Sequence, residues 1–115
     1  MRVIDVSELA PQPVTDEGAK GTTVRWLIGK PEGAPNFAMR LFELEPGGAT
    51  PLHEHAWEHE VFVLDGSLQV VAEQGPVEVS AGAAVLVMPG ERHQFRNAGN
   101  AVARMLCVIP HPAQG

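Results

Sequence analysis

The chain has 115 residues, with 8 Lys and Arg against 14 Asp and Glu and a formal net charge of −6. That length supports one modest core and leaves too little interior for two, and the acidic balance without a basic run argues against nucleic acid as a partner. With a single cysteine, Cys107, no apolar run near the roughly 20 residues that span a bilayer, and an N-terminus unlike a secretory signal, a soluble cytoplasmic protein is expected.

In chain order, the polar stretch Pro11 to Gly21 reads as a loop or arm, so that about 1–21 precede the body of a single domain over 1–115. Beyond it, dense Gly and Pro separate short segments rich in Val, Leu, Ile, Phe and Thr, which is the pattern of an all-β domain. Strands are predicted over Thr22 to Ile28, Phe37 to Glu45, Thr50 to His55, His59 to Leu64, Ser67 to Ala72, Val77 to Val79, Ala84 to Met88, His93 to Arg96 and Ala101 to Ile109. Asp65-Gly66 between two apolar runs predicts a tight hairpin, because Gly tolerates the positive φ of a type I′ turn, and Gln74-Gly75-Pro76 predicts a second turn. Strands this short and this closely spaced imply a sandwich or barrel.

Four histidines carry the chemistry. His53, His55 and His59 fall in one run, Pro-Leu-His-Glu-His-Ala-Trp-Glu-His-Glu, and His93 follows the Pro89-Gly90 turn. Imidazole is the commonest transition-metal ligand, and strand alternation points His53 and His55 the same way, as a pincer. In the next strand His59 shares a face with Val61 and Val63, whereas Glu60 shares the other with Phe62 and Leu64. Alternation therefore favours His59 as third ligand, with Glu60 the fallback if the strand bulges, and His93 closes the site from another strand.

The spacing of these residues resembles the two motifs of the cupins, small β-barrels of jelly-roll type (the double-stranded β-helix). Gly47, His53, His55, position 59 and Gly66 fit the first motif, with His59 where the family has Glu. Gly82, Gly90, His93 and Asn97 fit the second, with the usual Pro moved to Pro89 and Met88 in its place. The 15 residues between the motifs match a minimal cupin, and the resemblance covers residues 47 to 97 closely. Three His plus Glu is the ligand set of germin-like and oxalate-degrading enzymes and flavonol-cleaving dioxygenases. The substituted chain looks more like small bacterial single-domain cupins that bind manganese through four histidines. The resemblance thus implies a metal-binding core over about 37–109 and one divalent transition metal per chain. Manganese is favoured, with iron, nickel, copper and zinc also compatible with imidazole.

Other residues are weighed beside the histidines. In Arg104 to Ile109, alternation with Arg104 toward solvent turns Met105, Cys107 and Ile109 inward, where with Phe95 they would line a pocket. Core packing explains Cys107, Phe95 and Trp57 as well. Arg40 could face either way, Glu58 reads as exposed charge, and His111, between Pro110 and Pro112, reads as a solvated tail residue. Phe62, Leu64, Leu106 and Val108 fall on the outer face, and covering them calls for a homodimer. The leading functional expectation is a metal-dependent oxidoreductase of dioxygenase type acting on a small molecule. The alternatives are a non-redox metal-dependent isomerase or cyclase and a non-catalytic small-molecule-binding cupin.

Overall fold

The computed structural model describes residues 1–111. Among these residues lie nine strands: β1 (Gln12–Pro13), β2 (Lys20–Ile28), β3 (Phe37–Ala49), β4 (His59–Asp65), β5 (Ser67–Ala72), β6 (Val77–Ser80), β7 (Ala84–Val87), β8 (His93–Arg96) and β9 (Ala103–Pro110). The helical elements among the described residues include two 3₁₀ turns, Val6–Glu8 and Lys30–Glu32, and no helix among them is long and apolar enough to cross a membrane. Every strand pairing is antiparallel, in the order β6-β5-β8-β3-β9-β4-β7, with β2 also on β3 and β1 on β2. The sheet curls into an all-β jelly-roll barrel.

Period-two alternation places the core. Along β9 burial alternates strictly, with Ala103, Met105, Cys107 and Ile109 inside, and along β4 His59, Val61 and Val63 turn in while Glu60 and Phe62 turn out. On β3, Ala38, Phe42 and Leu44 join the same core, packed with Leu68, Val70, Val87 and Phe95 from the other strands. Fully burying one such aliphatic or aromatic side chain contributes about 1.5–3 kcal/mol.

Three expectations fail against this architecture. Thr50 to His55 forms no strand: β3 runs on to Ala49, and the backbone beyond it is irregular apart from a single bridge between His53 and His93. Pro51 has no N–H to give to a ladder, so the backbone of this segment bonds that of β8 through Thr50 N to Phe95 O and the two reciprocal His53–His93 bonds, with the Phe95 amide bonded to Thr50 Oγ1 and the Gln94 side chain to the Thr50 carbonyl. Asp65-Gly66 makes no hairpin either, because β4 pairs with β7 and β9 whereas β5 pairs with β6 and β8. Gly66 turns a corner between sheets at φ 76°, where a Cβ would meet the Ala103 Cα and the Val102 carbonyl at 3.0 Å. The expected turn at Gln74-Gly75-Pro76 does join two paired strands, β5 and β6. Finally, the polar stretch before Gly21 is partly structured: β1 pairs with β2 at Gln12↔Val24, and β2 begins at Lys20. Gly48 permits that close approach, since a Cβ there would stand 2.7 Å from the Gly21 carbonyl oxygen.

Candidate metal centre

Two of the four histidines hang on the irregular segment after β3, and the other two each open a strand. His53 and His55 lie in the segment, His59 is the first residue of β4 and His93 the first of β8. One ligand nitrogen from each of His53, His55 and His93 falls within 4.8 Å of the others, a grouping able to hold a metal ion. The His59 ring stacks on His55 with centroids 4.2 Å apart and lies 5.3 Å from His93 and 6.5 Å from His53. It stands beside the trio, with its Nδ1 3.6 Å from the Cys107 Sγ.

Backbone carbonyls set the tautomers of two members. His93 Nδ1 is 2.8 Å from the Glu91 carbonyl oxygen and His55 Nδ1 is 3.3 Å from that of Trp57. A carbonyl only accepts, so each Nδ1 carries the hydrogen and each Nε2 keeps its lone pair free for a ligand. His55 Nε2 is buried without a hydrogen-bond partner. An orphaned buried acceptor is costly, and a metal ion is the partner an imidazole lone pair fits best.

Desolvation favours the neutral form of His53, His55 and His59, the form that metal ligation requires. Desolvation first, then the neighbouring His93 and His55, lower the His53 pKa from 6.5 to about 4. Desolvation likewise lowers His55, and lowers His59 well below its usual range, where His55 and Arg40 push in the same direction.

The group opens on a cavity of about 250 Å³. His53, His59 and His93 line it, as do Phe95, Met105 and Cys107. Ile109, expected beside them, is buried in the core but does not line this cavity. Trp57 is half-buried and stacked on His55, centroids 4.4 Å apart. Glu58 and Glu60 are exposed, and Glu60 turns away from the trio. His111 is no solvated tail residue: it is buried, its amide donates to the Asn36 carbonyl and its Nε2 bonds the Ala34 carbonyl.

Two contributions to the cavity were not read from the sequence. Val14 and Asp16, from the stretch expected to be an arm, form part of its wall. Arg40 also lines it, with its guanidinium carbon 5.2 Å from the Trp26 ring centroid and 4.9 Å from that of Phe42. Period-two counting from Phe42 and Leu44 puts Arg40 on the inward face of β3, although Leu41, apolar on the opposite face, keeps that count from deciding it in the sequence. Its Nη2 donates to the Cys107 Sγ at 3.0 Å, and its Nε is buried without a partner. Burial raises the Cys107 thiol pKa, against an opposing pull from Arg40.

The fold and the site together define a small jelly-roll barrel with a histidine-based candidate metal centre in its interior. The chain belongs to the cupin family, whose Cupin domain description matches residues 40–109. It is similar to the polyketide synthase protein CurC of Streptomyces cyaneus, 30% identical over 99% of this chain and 75% of that one. It is also similar to the tetracenomycin polyketide synthase protein TcmJ of Streptomyces glaucescens, 28% identical over 98% and 80%. Among solved structures it resembles the polyketide cyclase RemF of Streptomyces resistomycificus, with a TM-score of 0.90, 40% identity, and coverage of 96% of this chain and 79% of that one. The fold alone is shared with a predicted oxalate decarboxylase of Thermotoga maritima, TM-score 0.85 at 24% identity, covering 96% and 99%.

Proposed function

We propose that the chain is a metal-dependent enzyme of the non-redox kind, closing a ring in a small enolisable carbonyl compound related to polyketides. The observation that carries this reading is the trio His53, His55 and His93, one ring nitrogen from each converging beside an otherwise largely apolar cavity, with the Nε2 atoms of His55 and His93 left free by their Nδ1 contacts. Similarity to RemF, a polyketide cyclase, supports ring closure over the dioxygenase chemistry expected from sequence.

His53, His55 and His93 would hold one divalent ion, with His59 as the fourth ligand in our reading. Such an ion, when bound, polarises a carbonyl and stabilises an enolate oxygen. Manganese is the first ion to load, as the resemblance favours, and zinc serves as its redox-inert comparison. The chain's own part is to bind and orient. Phe95, Met105 and Phe42 supply apolar walls, and Glu91 and Trp57 hold the ligand rings through their carbonyls. At about 250 Å³ the cavity is smaller than the roughly 300–1,000 Å³ of drug-sized sites, so it encloses a small substrate or one end of a longer one. The reaction would form a C–C bond between an enolisable carbon and a carbonyl carbon, the displaced proton ending on the new hydroxyl, with no net oxidation.

The test is elemental analysis of wild type, His55→Ala, His59→Ala and Glu60→Ala, followed by anaerobic assay of a 1,3,5-triketone, which can close a six-membered ring, with manganese or zinc. About one metal per chain, lost with His55 or His59 and kept without Glu60, and equal turnover with zinc in the absence of O₂, supports the reading. Turnover that demands O₂ and a redox metal would replace it with the dioxygenase reading, and metal-free protein would leave a ligand-binding barrel.

A further inference from the structure

We propose that Arg40 is an anion anchor at the apolar side of the cavity, selecting a flat conjugated ligand that carries a carboxylate. The proposal takes its cavity from the reading above but does not need the metal.

Arg40 is a charged group placed where a barrel interior normally has none. It sits on the inward face of β3 with Ala38, Phe42 and Leu44, and lines the same cavity as His53, His59 and His93. Neither ion pair among the described residues involves it: Arg25 takes Glu43 and Arg104 takes Asp65. Its one hydrogen-bond acceptor is the Cys107 sulfur at 3.0 Å, a weak acceptor, and its Nε is buried with no acceptor at all. An inward guanidinium with so little compensation is costly to keep, and contact with the Trp26 and Phe42 rings offsets only part of that cost.

The missing partner has a definable chemistry. A guanidinium offers a planar fork that a carboxylate fills with two parallel hydrogen bonds, whereas a neutral carbonyl takes one and leaves the charge uncompensated. The Trp26 and Phe42 rings beside the guanidinium favour a flat conjugated body. Asp16, an exposed carboxylate on the same cavity, repels an anion from its own part of the wall and leaves the Arg40 side as the place for it.

The probes are 2-naphthoate and its neutral counterpart 2-acetonaphthone, bound to the EDTA-stripped full-length chain by equilibrium dialysis. The expected result is that wild type prefers 2-naphthoate. Arg40→Gln should weaken 2-naphthoate at least about tenfold, the scale of a lost charge-assisted pair, and change 2-acetonaphthone less than about twofold. Arg40→Lys, which keeps the charge and loses the fork, should fall between. Equal binding of 2-naphthoate by wild type and Arg40→Gln would overturn the proposal, as would a wild type without preference for the anion. The second result stands even if Arg40→Gln does not fold. Zinc content, measured in parallel, reports on the metal centre separately: His55→Ala should lose the metal and keep the 2-naphthoate preference.

Discussion

Asn97→Ala should weaken the fold by about 2–4 kcal/mol without touching the metal centre. Asn97 is 2% exposed and stands one residue past β8. Its Nδ2 donates to the Leu44 carbonyl at 3.0 Å and the Ala101 carbonyl at 2.8 Å, and its Oδ1 accepts from the Gly99 amide at 3.0 Å. Its main chain exchanges bonds with Gly47 and Gly48, so one residue ties the ends of β3 and β8 to the loop before β9. Truncation removes three side-chain bonds, each worth about 0.5–1.5 kcal/mol net, and strips buried Leu44 of a partner for its carbonyl, which keeps the total off the bottom of that sum, at about 2–4 kcal/mol. Urea unfolding in EDTA reads the effect at unchanged slope m, against a total stability of about 5–15 kcal/mol for such a domain. Asn97→Asp is the sharper contrast: it keeps the shape but turns oxygens on two carbonyls, and should cost at least as much as alanine. A loss under about 1 kcal/mol for Asn97→Ala, or an aspartate milder than the alanine, would refute the clamp.

The metal-stripped protein should lose stability as pH falls from 6.5 toward 4, because the unfolded chain protonates His53 before the folded one, whose pKa is about 4. Since His53 is more than a third exposed, screening holds its share to the order of 1 kcal/mol. His55 and His59 act in the same direction, so His59→Gln should flatten the stability slope between pH 7 and 5, and an unchanged slope would sink the argument. Cys107, 2% exposed and with its thiol pKa raised, should react with an aromatic disulfide only on unfolding; prompt labelling of native protein would mean the cavity opens to solvent far more than its geometry implies. Phe62 and Leu86 are diagonal neighbours on the outer face, 43% and 55% exposed, and should be covered by a second copy. Light scattering at micromolar concentration should give twice the chain mass, reduced to one by Phe62→Asp; a monomeric wild type would end the idea.

The strands of the barrel were legible because apolar alternation is local. Ala103 to Ile109 and His59 to Val63 face as their period of two dictates, and Glu60 is turned out by the same rule. What local pattern could not carry was partnership. Asp65-Gly66 has hairpin chemistry, but which strand lies beside β4 is decided by β9 and β7, far away in sequence. The same holds for Thr50 to His55, whose β-rich residues find only one bridge at β8. Spacing singles out His53, His55, His59 and His93, of which the structure groups His53, His55 and His93, with His59 stacked beside them on His55. Arg40 was left open because the run from Phe37 to Glu45 buries Leu41 on one face and Phe42 on the other, which blurs the period.

His59 and His93 are fixed by the strands they begin, whereas His53 and His55 belong to a stretch secured by a handful of backbone bonds, including Gly90 N to the His55 carbonyl at 2.7 Å. An ion held by all four, as proposed, would sit in a vice with one jaw on strands and one on an irregular stretch. A divalent ion somewhat larger or smaller than another would then change the gap between jaws and leave the barrel as it was. Ionic radius would be a weak criterion for admission, and affinity among imidazole-binding ions would follow their intrinsic order. The ion purified with the protein would reflect the metal supply of the cell that made it as much as the site itself.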